Sequence, residues 1–516
     1  MPNWLKDAVF YEIYPQSFCD TNADGIGDFN GITEKLDYIK GLGCNALWIN
    51  PCFDSPMKDA GYDVRDYYKA AARYGSNEDL YRLFSEAHAR GIHVLLDLVP
   101  GHTSEEHKWF LNSGKVEKNP YTDRYIWKDF WIKGIPGYPY IGGEFDRNGV
   151  YLPNFFKCQP ALNYGWAEPT QSWQQGMYDD GPMATRQAIK DIMRFWLAKG
   201  CDGFRVDMAS SLVKGDDENK SGTCEVWQDL LTVREEFPES AFVAEWGYPQ
   251  QAIAGAGFDM DFYLDHPGNG YNTLMRDYET GDEDRSYFRK DAAGDIMRFL
   301  DDFLPRYESS KGKGYISFIT CNHDTTRPSY NLSVTERKLA FAFLLTMPGV
   351  PFIYYGDEIG MRFDETLPTK EGGYTRTGSR TPMQWDDSAN MGFSKASADM
   401  LYLRTDPLEE APNVKAQEKD PDSLLSFTKD LIAFRHAQPS LRADVDFEVM
   451  HAEKDDPLFV WKRGELMIAV NPSGQLCKAT LPDVNAGEVL FRFGDGQFSG
   501  GALTLDTQSF IIWKLL

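Results

Sequence analysis

The chain has 516 residues, of which 42% are hydrophobic and 14% aromatic. That is too long and too apolar for a peptide, a disordered tail or a coiled coil, and it fits about three domains or one large barrel with attachments. Its 53 Lys and Arg against 78 Asp and Glu give a net charge of −25, which repels phosphate and argues against nucleic acid or an anionic membrane as partner.

The N-terminal residues run directly into a strand-like segment with no apolar signal-peptide core, and no later run reaches the ~20 apolar residues of a membrane span. Strands are predicted over 9–14, 46–50, 93–99, 203–208, 241–246, 258–262, 315–321 and 352–355, each rich in Val, Ile, Phe or Tyr or bounded by polar, Gly or Pro residues. Helices are predicted between them. Over 31–42, Ile32, Leu36, Ile39 and Leu42 share one face; 77–90 and 184–198 behave alike, with Gly91 and Gly200 as stops. Eight strands alternating with helices predict a closed (β/α)8 barrel. Residues 101–175, between the third and fourth strands, are too many for a βα loop and read as an inserted domain, dividing the barrel into 1–100 and 176–440. The last stretch, 441–516, carries short antiparallel strands at 457–462, 465–471 and 509–513 and reads as a β-sandwich-like terminal domain. The eight cysteines contain no CxxC pair and read as reduced, mostly buried thiols, so a cytoplasmic monomer is expected.

In a barrel, polar residues at the C-terminal ends of strands are the catalytic candidates. The third strand offers Asp97 with His102 following, the fourth Arg205 and Asp207, the fifth Glu245, and the seventh ends in Asn322-His323-Asp324. Strand alternation puts Arg205 and Asp207 on one side. Several carboxylates converging on one cavity suit retaining glycoside hydrolysis, which needs an ionised nucleophile and a protonated acid ~5–5.5 Å apart. On this reading Arg205 lowers the Asp207 pKa and keeps it ionised. Glu245, beside Trp246, is the desolvated acid. Asp324 and His323 bind sugar hydroxyls.

These segments resemble the four short motifs of the α-amylase superfamily, glycoside hydrolase family 13: Asp97-Leu-Val-Pro-Gly-His102, Gly203-Phe-Arg-Val-Asp207, Glu245, and Asn322-His-Asp324. The resemblance implies Asp207 as nucleophile, Glu245 as acid/base and Asp324 as transition-state stabiliser. It also implies a barrel with a domain inserted after strand three and a β-sheet C-terminal domain. Gln159-Pro-Ala-Leu-Asn163, Arg380-Thr-Pro-Met-Gln-Trp385 and Asp59-Ala-Gly-Tyr62-Asp63 resemble the oligo-1,6-glucosidase and α-glucosidase branch, with Tyr62 offering a ring to the sugar. That branch implies an Asp–Arg pair closing the pocket, here Asp59 with Arg376, or alternatively with Arg380. Ala161, Met208 and the run Trp246-Gly-Tyr-Pro249 depart from the branch pattern, so linkage preference stays open. The expected activity is an exo-acting α-glucosidase on short oligosaccharides. The alternatives are a transglycosylase or isomerase of the same superfamily, an endo-acting α-amylase, or a non-catalytic carbohydrate-binding barrel.

The run Asp20-Thr-Asn22-Ala-Asp24-Gly-Ile26-Gly-Asp28 spaces oxygen donors as an EF-hand does, with the Ile26 carbonyl at position 7 and Asp28 at position 9. Ca2+ is the first expectation and Mg2+ the second. The histidines show no HExxH spacing, and His88 and His93 read as structural. The aromatic residues of 121–166 read as core or as a sugar-stacking wall.

Overall fold

Short apolar runs with no polar face can only be buried on both sides, as parallel sheets under helices are. The computed structural model describes residues 1–129, 134–143, 145–281 and 283–516. Eight such runs form one sheet: β1 (Phe10–Ile13), β2 (Ala46–Ile49), β3 (His93–Leu98), β4 (Gly203–Val206), β5 (Ala241–Ala244), β6 (Met260–Phe262), β7 (Tyr315–Ser317) and β8 (Phe352–Tyr354). Their order is β7-β6-β5-β4-β3-β2-β1-β8, and neighbours are parallel. The ring closes just past β7, where the Phe352 N–H donates to the Phe318 carbonyl at 2.8 Å and the Thr320 N–H to the Phe352 carbonyl at 3.0 Å. The expected (β/α)8 barrel is formed.

The strands are shorter than predicted, chiefly at their C-terminal ends, because there the chain leaves the ladder to present polar side chains. The predicted 31–42 helix is two helices, Phe29–Glu34 and Leu36–Leu42, broken at Lys35, whose ψ of 3° lies outside the helical well. The helix at Asp180–Ala198 starts four residues earlier than predicted; Pro182 sits in its first turn, where a missing N–H costs nothing. His88 and His93 both bond Asp202, at 2.7 and 3.1 Å.

Between β3 and β4 lie three short antiparallel strands, Trp127–Lys128, Ile141–Gly142 and Val150–Tyr151. Phe110, Trp127, Phe145 and Tyr151 pack ring on ring beside them, with Phe110 4.8 Å from Tyr151 and 5.6 Å from Trp127. These rings are core, which replaces the stacking wall; Phe130 and Trp131, also covered by that expectation, lie outside the described residues. Phe155 and Tyr140 are about half exposed, and Phe155 packs beside Phe156.

The C-terminal region has a five-stranded and a three-stranded antiparallel sheet. Period-two alternation sorts its apolar residues. Phe459, Trp461, Ile468 and Ile512 join the barrel core, while Val460, Met467, Ala469 and Ile511 face Leu503 and Leu505 of the smaller sheet. All eight cysteines are free, and seven are buried. No helix among the described residues is long and apolar enough to cross a membrane.

Candidate active site

Asp97 of β3 and Arg205 of β4 are register partners, so two residues from distant parts of the chain meet inside the barrel. β4 also presses on β5: a Cβ on Gly203 would lie 1.9 Å from the Ala241 carbonyl oxygen, and its φ is +146°, so only glycine fits. The Arg205 guanidinium is buried and touches three carboxylates. Nη1 lies 2.8 Å from Asp97 Oδ1 and 3.2 Å from Asp207 Oδ1, and Nη2 lies 3.0 Å from Glu245 Oε2. Met208, next to Asp207, adopts left-handed φ/ψ of 41°/44° and turns its N–H onto Glu245 Oε2 at 2.7 Å. A non-glycine residue is held there at a conformational cost, and the gain is a backbone donor fixing the Glu245 carboxylate.

The electrostatics differ from the sequence expectation. Burial and the Glu245 charge push the Asp207 carboxyl well above the usual range, and Arg205 opposes them without prevailing. The expected lowering of Asp207 is therefore corrected: Arg205 is shared among three anions, so no one of them receives its full charge. Nor is Glu245 the more buried of the pair; its side chain is 22% exposed against 9% for Asp207. Burial likewise lifts Asp97 to about 6 despite Arg205.

Asp324 accepts from two guanidinium groups at one oxygen, Arg376 at 2.9 Å and Arg380 at 2.8 Å. Burial alone would raise its pKa, but the charges of His323, Arg380 and Arg376 hold it well below the usual range. Burial pushes His323 down to about 3, so at working pH the two arginines carry this effect. The Asp59–Arg376 ion pair, with Arg380 as alternative, is not formed: both arginines are on Asp324, and neither lies within 4 Å of Asp59. Asp59 Oδ2 instead accepts from Gln159 Nε2 at 2.7 Å, and burial lifts its carboxyl to about 6. Gln159 comes from the inserted segment, so this bond ties the insertion to the site.

Tyr62 stacks on His323, and its hydroxyl lies 2.7 Å from His323 Nε2 and 3.2 Å from Asp97 Oδ2. His102 stands apart, bonded to the Tyr62 carbonyl at 3.2 Å and facing Asn154 Nδ2 at 3.2 Å. Sequence reasoning missed Glu12, Trp48 and Asn50. The Trp48 indole N–H donates to Asp97 Oδ2 at 3.2 Å, and Glu12 and Asn50 meet His323. Their only signal was a polar residue in or beside an otherwise apolar strand.

A cavity of about 700 Å³ opens beside Asp324 and Arg376, walled by Asp265, Tyr330, Phe363 and Tyr374 among others. Asp207 and Glu245 do not line it.

In the loop after β1, the side chains are spent internally. Asp20 accepts from the Asn22, Ala23 and Gly25 N–H groups and from Ser394. Asn22 accepts from Asp24 N, and Asp24 from Ile26 N. Asp28 caps the Phe29–Glu34 helix and also accepts from Thr21. As the side chains stand, no three His, Cys, Asp or Glu among the described residues are gathered as a metal site.

The family model for the alpha amylase catalytic domain matches residues 12–444. An oligo-1,6-glucosidase from Heyndrickxia coagulans is 33% identical, covering 96% of this chain and 97% of that protein. A trehalose synthase/amylase from Mycolicibacterium smegmatis is also 33% identical, over 84% of this chain and 76% of that protein. The isomaltulose synthase SmuA from Protaminobacter rubrum superposes with a TM-score of 0.83 at 27% identity, covering the whole of both chains.

Proposed function

The chain belongs to the α-amylase family, and from that premise we propose that it is a retaining, exo-acting α-glucosidase on short α-linked oligosaccharides. The observation that carries this is Arg205 in contact with Asp207 and Glu245 together, with Asp97 behind them. Asp207 attacks the anomeric carbon. Glu245, held by Met208 N–H and Arg205, donates its proton to the leaving oxygen and later takes one from water. Asp324, kept ionised by Arg376 and Arg380, takes hydroxyls of the distorted ring. Tyr62 supplies a ring face, and Asp59, His102 and His323 line the surrounding polar shell. A substrate oxygen placed at Glu245 takes its proton as the leaving-group bond breaks, while Asp207 attacks as the anion.

Proton NMR of the first product, before mutarotation, tests the mechanism: α-anomer is expected, and initial β-anomer overturns it. Maltose, isomaltose, trehalose, sucrose and maltoheptaose supplied singly, with chromatography of products, test the rest. Free glucose from maltose and isomaltose is expected. Rearranged disaccharide in place of free glucose supports the second reading, an isomerase or transglycosylase. That reading is favoured by the two synthase relatives and by the cavity beside Asp324, which has room for an acceptor sugar.

For the loop of Asp20, Asn22, Asp24, the Ile26 carbonyl and Asp28, the oxygen-only donor set suits a hard cation, Ca2+ before Mg2+, in a structural role. The free thiols fit a reducing, cytoplasmic compartment, and we take the protein as a monomer without membrane or nucleic-acid partner.

A further inference from the structure

Beneath the site, β1 contributes a carboxyl that the proposed chemistry leaves unused. Glu12 is fully buried, and among the described residues no Lys or Arg comes within ion-pair distance of it; its one charge-capable contact is His323. Glu12 Oε1 lies 3.0 Å from His323 Nδ1 and 3.2 Å from Asn50 Nδ2, while Glu12 Oε2 and Asn50 Oδ1 have no hydrogen-bond partner. An ionised carboxylate there would be a buried charge without a cation beside it, which proteins avoid by keeping the proton. The groups that face it are Asn50, Arg205 of β4, Asp97 of β3, Asp324 and the Tyr354 phenol of β8. Burial outweighs the one cation among them and lifts the Glu12 carboxyl well above the usual range.

Asn50 Nδ2, an amide donor held by Glu12 Oε1, also lies 3.0 Å from His323 Nδ1, so a neutral carboxyl and a neutral imidazole are both satisfied in one arrangement, with Nδ1 as the acceptor. The Glu12 O–H donates, Nδ1 accepts, and the ring proton sits on Nε2. Nε2 then points its N–H toward the Tyr62 oxygen at 2.7 Å, with Asp324 Oδ2 3.5 Å away. The Tyr62 O–H is then free to donate to Asp97 Oδ2 at 3.2 Å. The opposite tautomer would turn the Nε2 lone pair toward the Asp324 carboxylate and draw the Tyr62 proton away from Asp97.

We propose that Glu12 is a positioning residue: as a neutral carboxyl it fixes His323 in its Nε2–H form and sets the direction of a hydrogen-bond chain, Glu12 to His323 to Tyr62 to Asp97, that ends on the carboxylate shared with Arg205. The effect on turnover rests on the glucosidase reading; the tautomer does not.

The test uses the full-length protein with ¹⁵N-labelled histidine rings, the His323 signal being identified by its loss in His323→Gln. Wild type should show an unprotonated Nδ1 and a protonated Nε2. Glu12→Gln, whose amide donates as the neutral carboxyl does, should keep this pattern and recover most of the turnover. Glu12→Leu should give mixed tautomers and a kcat about 10–100-fold lower, as for a misplaced positioning group, with KM changed less. A protonated Nδ1 in wild type overturns the proposal. So does Glu12→Gln as impaired as Glu12→Leu, or Glu12→Leu with an unchanged tautomer and kcat. Should Glu12→Leu fail to fold, the wild-type ring pattern and Glu12→Gln decide. Wild type that lacks glucosidase activity but keeps the Nε2–H pattern refutes the functional reading and leaves this one standing.

Discussion

Arg205 sits where three carboxylates need one cation, and that sharing sets the chemistry of the site. Asp207 and Glu245 meet on one guanidinium, so removing either should disable both halves of a double displacement. Asp207→Asn and Glu245→Gln are each expected to lower kcat by at least ~10³-fold, and the double variant to be little worse than either single. Steady-state kinetics on the best disaccharide measures this, and near-normal turnover by Asp207→Asn removes the nucleophile assignment. Asp59 carries a different consequence. Its folded pKa of about 6 lies above the unfolded value, so its ionised form costs stability above pH 6, and that cost fades as pH falls toward 4. Asp59→Asn should therefore stabilise the protein at pH 7 by on the order of 2–3 kcal/mol and give little gain at pH 4. Loss of the charged contact should lower kcat/KM ~10–100-fold. Thermal melts at the two pH values decide; an equal gain at both would mean that the Asp59 charge is not the cause.

At the scale of elements, the segment after β8 delivers both arginines of Asp324, and it does so through strain. Glu371, Gly372 and Tyr374 all have positive φ, of 44°, 67° and 43°. A Cβ on Gly372 would stand 2.7 Å from Asp59 Oδ1 and 3.1 Å from Phe156 Cε2. Gly372→Ala thus adds a left-handed alanine and pushes on the Asp59–Gln159 contact. It should cost about 1–2 kcal/mol of stability and raise KM more than it lowers kcat, because it moves a binding group and leaves Asp207 alone. A variant with wild-type KM would show that the segment gives without moving Asp59.

For the whole molecule, the metal expectation meets a loop that already satisfies its own carboxylates. If a cation binds the native loop and not the unfolded chain, EGTA should lower Tm and added Ca2+ restore it. Asp24→Ala should abolish the response, and the kcat of the folded enzyme should not change. No shift with either reagent leaves the loop as a set of Asx turns closed by a helix cap. The net charge of −25 makes the surface repel anions throughout, so phosphorylated sugars should be far poorer substrates than neutral ones; direct competition assays with glucose disaccharides check this.

The sequence by itself determined the barrel and the strand ends at which chemistry would sit. Short buried runs at regular spacing specify parallel strands locally, and side-chain alternation puts Arg205 and Asp207 on one face whatever the neighbours are. It also determined the family, because the motifs at Asp97, Asp207, Glu245 and Asp324 are contiguous in sequence. Partnerships between distant segments were decided only by the tertiary structure. Arg376 was legible as a cation near the site, but its choice of Asp324 over Asp59 depends on where a strained segment after β8 meets a loop after β7. The Asp207 pKa was read with the wrong sign because burial and a second carboxylate, both tertiary quantities, outweigh an arginine two residues away. Glu12 left only the trace of a polar residue in an apolar strand. A lone glutamate in a buried strand acquires meaning only when the closed ring brings β1 to the end of β7 and sets its carboxyl against His323.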